Sequence, residues 1–202
     1  MGNLKNDLVP QQLVGSQMDV VEERKLSSLI HAQEFFAAAE KRLLAVNEWG
    51  QISGLSDFQI FTADGQEAFR SVQKGDFIRI DIPGPGPSSG DGFDWVKVEE
   101  IERAHDGDQD MISMCVRPCS TPLNQDKEVA HFLKDHATST FIIRRNQTTV
   151  WAEEHGRNEE ANISEGNLLD RARNLIVGFS AKLGLSYPQW KLLVKGLLDG
   201  KP

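Results

Sequence analysis

The sequence predicts an α+β fold: a mostly antiparallel sheet, or a small partly open β-barrel, of about six strands, with a long N-terminal helix and a C-terminal helix pair. Three observations carry that expectation. Apolar residues recur at three- and four-residue intervals near both ends of the chain, while the middle switches to a period of two. The strand-like segments cluster in the middle with the long helices at the ends, as in α+β folds with antiparallel sheets. The 202 residues are 39% hydrophobic and 26% charged, a balance that supplies a core within a polar surface.

Taken in order, residues 1–18 hold Gly2, Pro10, Gly15 and several amides, and read as a flexible arm without a core of its own. Residues 19–202 read as one domain. From Asp19 to Glu48, Val20, Leu26, Leu29, Ile30, Phe36, Leu43 and Leu44 fall at helical spacing, with no Gly or Pro before Gly50. Asp19 and Glu22 have capping-box spacing, so the expected helix is 19–48. A helix of that length needs a partner for its apolar stripe, either the rest of the chain or a second copy.

The strand-rich body spans 50–160. Phe58–Phe61 is one strand, and 66–72 is read as a helical turn or two. In 77–82, Ile78, Ile80 and Ile82 share one face and Arg79 and Asp81 the other. Further strands are expected at 93–101, 111–116, 138–145 and 148–154, with a short helix at 125–135. Asn146-Gln147 suits a tight hairpin. Phe141-Ile142-Ile143 in succession implies burial on both faces, hence a central strand. The C-terminal helices span 163–199, broken at Gly184 and restarted by Ser186 and Pro188.

The net charge of -8 argues against nucleic acid and anionic membrane as partners. No apolar run reaches the roughly 20 residues of a membrane span, and the polar N-terminus does not read as a secretory signal. A cytoplasmic protein is expected. Cys115 and Cys119 on one strand would lie roughly 13 Å apart, beyond the about 7 Å a disulfide allows, so free thiols are expected. The Pro-Gly loop 83–92 leads into a strand and carries Asp91 where a phosphate loop needs Lys. Asp106-Gly107-Asp108 opens like a calcium loop, but Met111 and Arg117 stand where Gly and Glu are required. No catalytic residue, metal site or cofactor is assigned.

Two places carry candidate binding groups. His155, Arg157, Asn158 and Glu159 form an expected turn between strand and helix, and Arg145, on the neighbouring strand, comes within reach; together they suit a small-ligand or hydrolytic site. Residues 179–193 are similar to a helix-turn-helix unit, with Ser180 four residues before Gly184 and Trp190 and Leu193 at core spacing. That resemblance would make Lys182, Gln189, Lys191 and Lys195 nucleic-acid contacts. Without an assembled catalytic set, the first expectation is a non-enzymatic protein-interaction or assembly module, with a protein partner or self-association through the long helix. The DNA-binding regulator and the small-ligand site are the alternatives.

Overall fold

A computed structural model describes residues 8–83, 86–125, 127–162 and 187–200. The chain begins with strand β1, Ser16–Lys25, and continues into helix α1, Leu29–Leu44, a 3-10 turn, Val46–Glu48, and the short helix α2, Trp49–Ser53. Seven strands follow: β2 Asp57–Phe61, β3 Glu67–Ala68, β4 Phe77–Asp81, β5 Asp94–Asp106, β6 Gln109–Pro118, β7 Thr138–Asn146 and β8 Thr149–Glu159. A last helix, α3, spans 187–197.

All eight strands belong to one antiparallel sheet in the order β1-β8-β7-β6-β5-β4-β2-β3. The first strand therefore pairs with the last, and α1 and α2 carry the chain across one face to the far edge. β1 and β3 are its two edges and do not pair, so the sheet is open and no barrel closes. Both α1 and α3 bury their apolar stripes on the inner face. Ala32, Phe35, Ala39 and Leu43 of α1 and Leu193, Val194 and Leu197 of α3 are inaccessible to solvent. They join Ile60, Val98, Ile112, Met114 and Ile143 of the sheet in one core. Among the described residues, no helix is long and apolar enough to cross a membrane.

Several expectations change in detail. The helix expected over 19–48 is two elements. Ser28 caps α1, its hydroxyl accepting from the His31 amide at 3.2 Å, and the chain before it is extended. In that stretch Met18 and Val20 face the core while Asp19, Val21 and Glu23 face out, a two-residue period that β8 fixes by pairing along its whole length. The sheet has eight strands instead of six, because β1 and the two-residue β3 were read as helix. The helix expected at 125–135 is an extended connection: the Ala130 amide donates to Cys119 and its carbonyl accepts from Trp95, at 2.9 and 2.7 Å. Two backbone bonds to strand ends outweigh the helical spacing of Val129, Phe132 and Leu133.

Other features stand as expected. Phe141, Ile142 and Ile143 are all buried, and β7 is central. The β7–β8 hairpin is tight, with Gln147 taking the left-handed conformation, φ 52°. Cys115 and Cys119 are free thiols. The first helix of the expected C-terminal pair lies outside the described residues; the second is α3.

Candidate ligand cavity

Between the inner face of the sheet and the helices lies a cleft. It encloses about 730 Å³ of space with its open mouth included, of which about 50 Å³ admits the centres of water-sized spheres. Its walls follow from the strand period. Ile78 and Ile80 of β4, Val96 of β5, Val116 of β6 and Phe141 of β7 are the inward-facing residues of adjacent strands. Trp49 of α2 and Trp190 of α3 close it from the helix side. These rings support one another: Trp49 lies 4.9 Å from Phe141 and 5.4 Å from Phe58, and Trp190 lies 5.3 Å from Phe141, centroid to centroid.

Polar groups enter the cleft at few points. Gln189 lines it and is only 3% exposed. The Ser56 hydroxyl donates to its Oε1 at 2.8 Å, and its amide nitrogen has no partner among the described residues. His131 also lines the cleft, with Nδ1 accepting from the Leu133 amide at 2.9 Å. Glu159 is the one carboxylate among the lining residues. Burial pushes its acidity weaker than an ordinary Glu, against the opposing pull of the Ser16 hydroxyl and the Arg157 charge.

A break in strand register places Glu159 there. Ser16 pairs with Glu159 but Met18 pairs with Gly156, so β8 carries one extra residue opposite β1. Asn158 takes up the bulge at φ 56°. Before the bulge, Glu154 and Gly156 face inward; after it, Glu159 does. Glu154 is completely buried, opposite Phe141 and Val20. Neither carboxyl oxygen meets a hydrogen-bond partner in favourable geometry, and the Ser139 hydroxyl offers only a weak opposing pull. Burial first, then the charge of Glu159, hold this carboxyl well above the usual carboxylate range.

The residues expected to form one ligand site are dispersed. There is no turn at 155–159, because β8 runs through it. His155 and Arg157 face the outer side of the sheet. His155 Nδ1 meets Asp19, its Nε2 lies 2.8 Å from Glu153, and Arg157 reaches Asp19 at 2.8 Å. Arg144 completes this layer, 2.5 Å from Glu153 and 3.9 Å over the Trp151 ring. Asn158 is turned toward the N-terminus: its Oδ1 accepts from the Leu13 and Val14 amides at 2.7 and 3.1 Å. Arg145 is buried at the far end of the hairpin against Asp110, 2.6 Å away. Of the five, Glu159 alone reaches the cleft. Of the residues expected to contact nucleic acid, Gln189 faces the cleft and cannot reach a base edge; Lys191 and Lys195 are exposed, and Lys182 lies outside the described residues.

Sequence reasoning missed the cleft. Its lining comes from six strands, two helices and the 131–137 connection, and only the alternation of β4 signalled an inward face. The bulge that turns Glu159 inward has no sequence mark beyond an Asn, a residue tolerant of positive φ.

An open antiparallel sheet gripping a C-terminal helix, with two helices inserted between its first two strands, defines a helix-grip fold. No protein-family model matches the chain, and no curated protein matches it in sequence. Solved structures do resemble it. A hypothetical protein of Helicobacter pylori aligns with a TM-score of 0.50 at 9% identity, over 90% of this chain and 84% of its own. Zhui aromatase/cyclase from Streptomyces aligns at 0.38 and 10% identity, over 90% and 94%. Truncated norcoclaurine synthase from Thalictrum flavum aligns at 0.37 and 9% identity, over 95% and 100%. The Helicobacter protein supports the fold.

These findings overturn the expectation of an assembly module. The stripe of α1 is spent inside its own chain, and what the helices and sheet form together is an apolar cleft. Of the residues offered for DNA binding, Gln189 is buried while Lys191 and Lys195 are exposed; the expected 155–159 turn is strand, and of its candidate residues Glu159 reaches the cleft.

Proposed function

We propose that this protein binds a small, mainly apolar molecule in the cleft between the sheet and helices α2 and α3. The observation that carries this reading is the cleft itself: aromatic and aliphatic walls, an open mouth, and a few polar groups. Ligand sites have this composition, in which apolar contact supplies affinity and sparse polar groups set orientation. The free volume matches a ligand whose buried part is about one ring, since one water needs roughly 10–15 Å³ by the same measure.

Trp49 and Trp190 report occupancy directly. The full-length protein, titrated with 2-phenylethanol as a neutral single-ring probe, is expected to show saturable changes in tryptophan emission and in calorimetry. Val116→Phe fills the wall and should weaken binding at least tenfold, at an overpacking cost of about 1–3 kcal/mol in stability. A probe that never saturates, or one that titrates the Val116→Phe protein as it does the parent, removes this reading.

A further inference from the structure

We infer that the ligand of the cleft carries a basic nitrogen, a protonated amine attached to an aromatic or apolar body, and that Glu159 is its counter-ion. This inference rests on the binding role proposed above and names the chemistry of that ligand. Glu159 lines the cleft, and its nearest polar neighbour, the Ser16 hydroxyl, is a marginal 3.4 Å from Oε2. Oε1 lies over Gly156, where a β-carbon would come within 2.6 Å of it. Glycine is thus what allows the carboxylate to fold back against the wall.

Among the described residues, the cationic groups around it are engaged elsewhere. Arg157 is on the opposite face, bonded to Asp19 and to the carbonyls of Met18 and Gly156. Lys134 and His136 meet Glu160, at 3.5 and 2.9 Å. Glu154 adds a second carboxyl on the same inner face, buried and without a hydrogen-bond partner in favourable geometry. Gln189, on a different element, is the independent polar group: nine-tenths buried or more, lining the cleft, with one end of its amide unpartnered among the described residues. The faces of Trp49, Trp190 and Phe141 favour a cation electrostatically. A carboxylate ligand would meet the opposite conditions.

Three isosteric probes separate the outcomes: 2-phenylethylamine, 2-phenylethanol and phenylacetate. The amine is expected to bind at least tenfold tighter than the alcohol, and phenylacetate weakest. In Glu159→Gln the ratio of amine to alcohol affinity should fall toward one. On the unaltered protein, amine affinity should weaken as salt is raised from about 10 to about 500 mM while alcohol affinity holds. Alcohol or phenylacetate binding as tightly as the amine, a ratio that survives in Glu159→Gln, or amine affinity indifferent to salt overturns this inference and leaves the cleft a binding site. Failure of all three probes to bind removes the binding role itself.

Discussion

At the scale of single residues, the most consequential group is Glu154. A carboxyl with no exposure and no hydrogen-bond partner in favourable geometry carries the desolvation cost of an unpaired polar group, about 1–3 kcal/mol. Its acidity is weakened in the folded chain, so the folded state keeps the proton at pH values where the unfolded chain has lost it. Stability from this group is therefore full below the ordinary value of 4.5 and declines as pH rises toward the raised folded value. Glu154→Met keeps the volume and removes the charge. It should raise unfolding stability at pH 8 by about 1–3 kcal/mol in urea titrations, and by less at pH 5. An equal gain at both pH values would show that ionisation is not the cost. Nothing in the sequence marks Glu154 as buried: Glu153-Glu154-His155 reads as a polar strand end, and both glutamates prove inaccessible. Glu153 is covered from the outer face by Arg144 and Trp151, Glu154 by the core. Alternation assigns the two to opposite faces, but not the covering of each.

At the scale of elements, the sequence showed strands wherever both neighbours were local. The β7–β8 hairpin and the 78/80/82 alternation were legible because turn chemistry and a two-residue period lie within a few positions of each other. β1 was not, because its partner β8 is more than a hundred residues away, and its own residues fit a helical spacing as well as an extended one. Packing of α3 was equally hidden, and Gly196 exposes its geometry. A β-carbon there would lie 2.1 Å from Cγ2 of Ile52, so α3 crosses α2 at glycine contact. Two arginines fix its end: Arg42 donates to the Leu197 carbonyl at 3.1 Å and Arg24 to those of Leu198 and Gly200, both at 2.9 Å. The Gly196→Ala substitution sets two effects against each other. Helix propensity favours alanine by about 1 kcal/mol, while the clash forces the helices apart. In the parent the clash should win, and stability should drop. In an Ile52→Ala background the added methyl enters vacated space, and Gly196→Ala should then be neutral or stabilising by up to about 1 kcal/mol. A double-mutant cycle with no coupling between the two sites would mean that the helices do not cross there.

At the scale of the molecule, the core and the cleft are built by the same parts. Leu193, Val194 and Leu197 of α3 and Leu198 just after it sit in the main core, while Gln189 and Trp190 of the same helix line the cleft. Each of the four aliphatic side chains contributes about 1.5–3 kcal/mol of burial. Together they approach the whole stability of an ordinary domain, about 5–15 kcal/mol. Removing 187–202 should therefore do more than open the cleft. The inner face would lose its cover over Phe58 and Phe141, and the sheet would keep its backbone pairing without fixed side-chain packing. Near-ultraviolet circular dichroism should collapse, the far-ultraviolet strand signal should persist, and a hydrophobic dye should bind without saturating at one site, the marks of a compact state with fluctuating tertiary structure. A truncated chain that kept its near-ultraviolet signal and still bound 2-phenylethanol would place the stability in α1 and the sheet alone. The cleft would then be a feature of the sheet that α3 merely borders, with no need of the helix to form it.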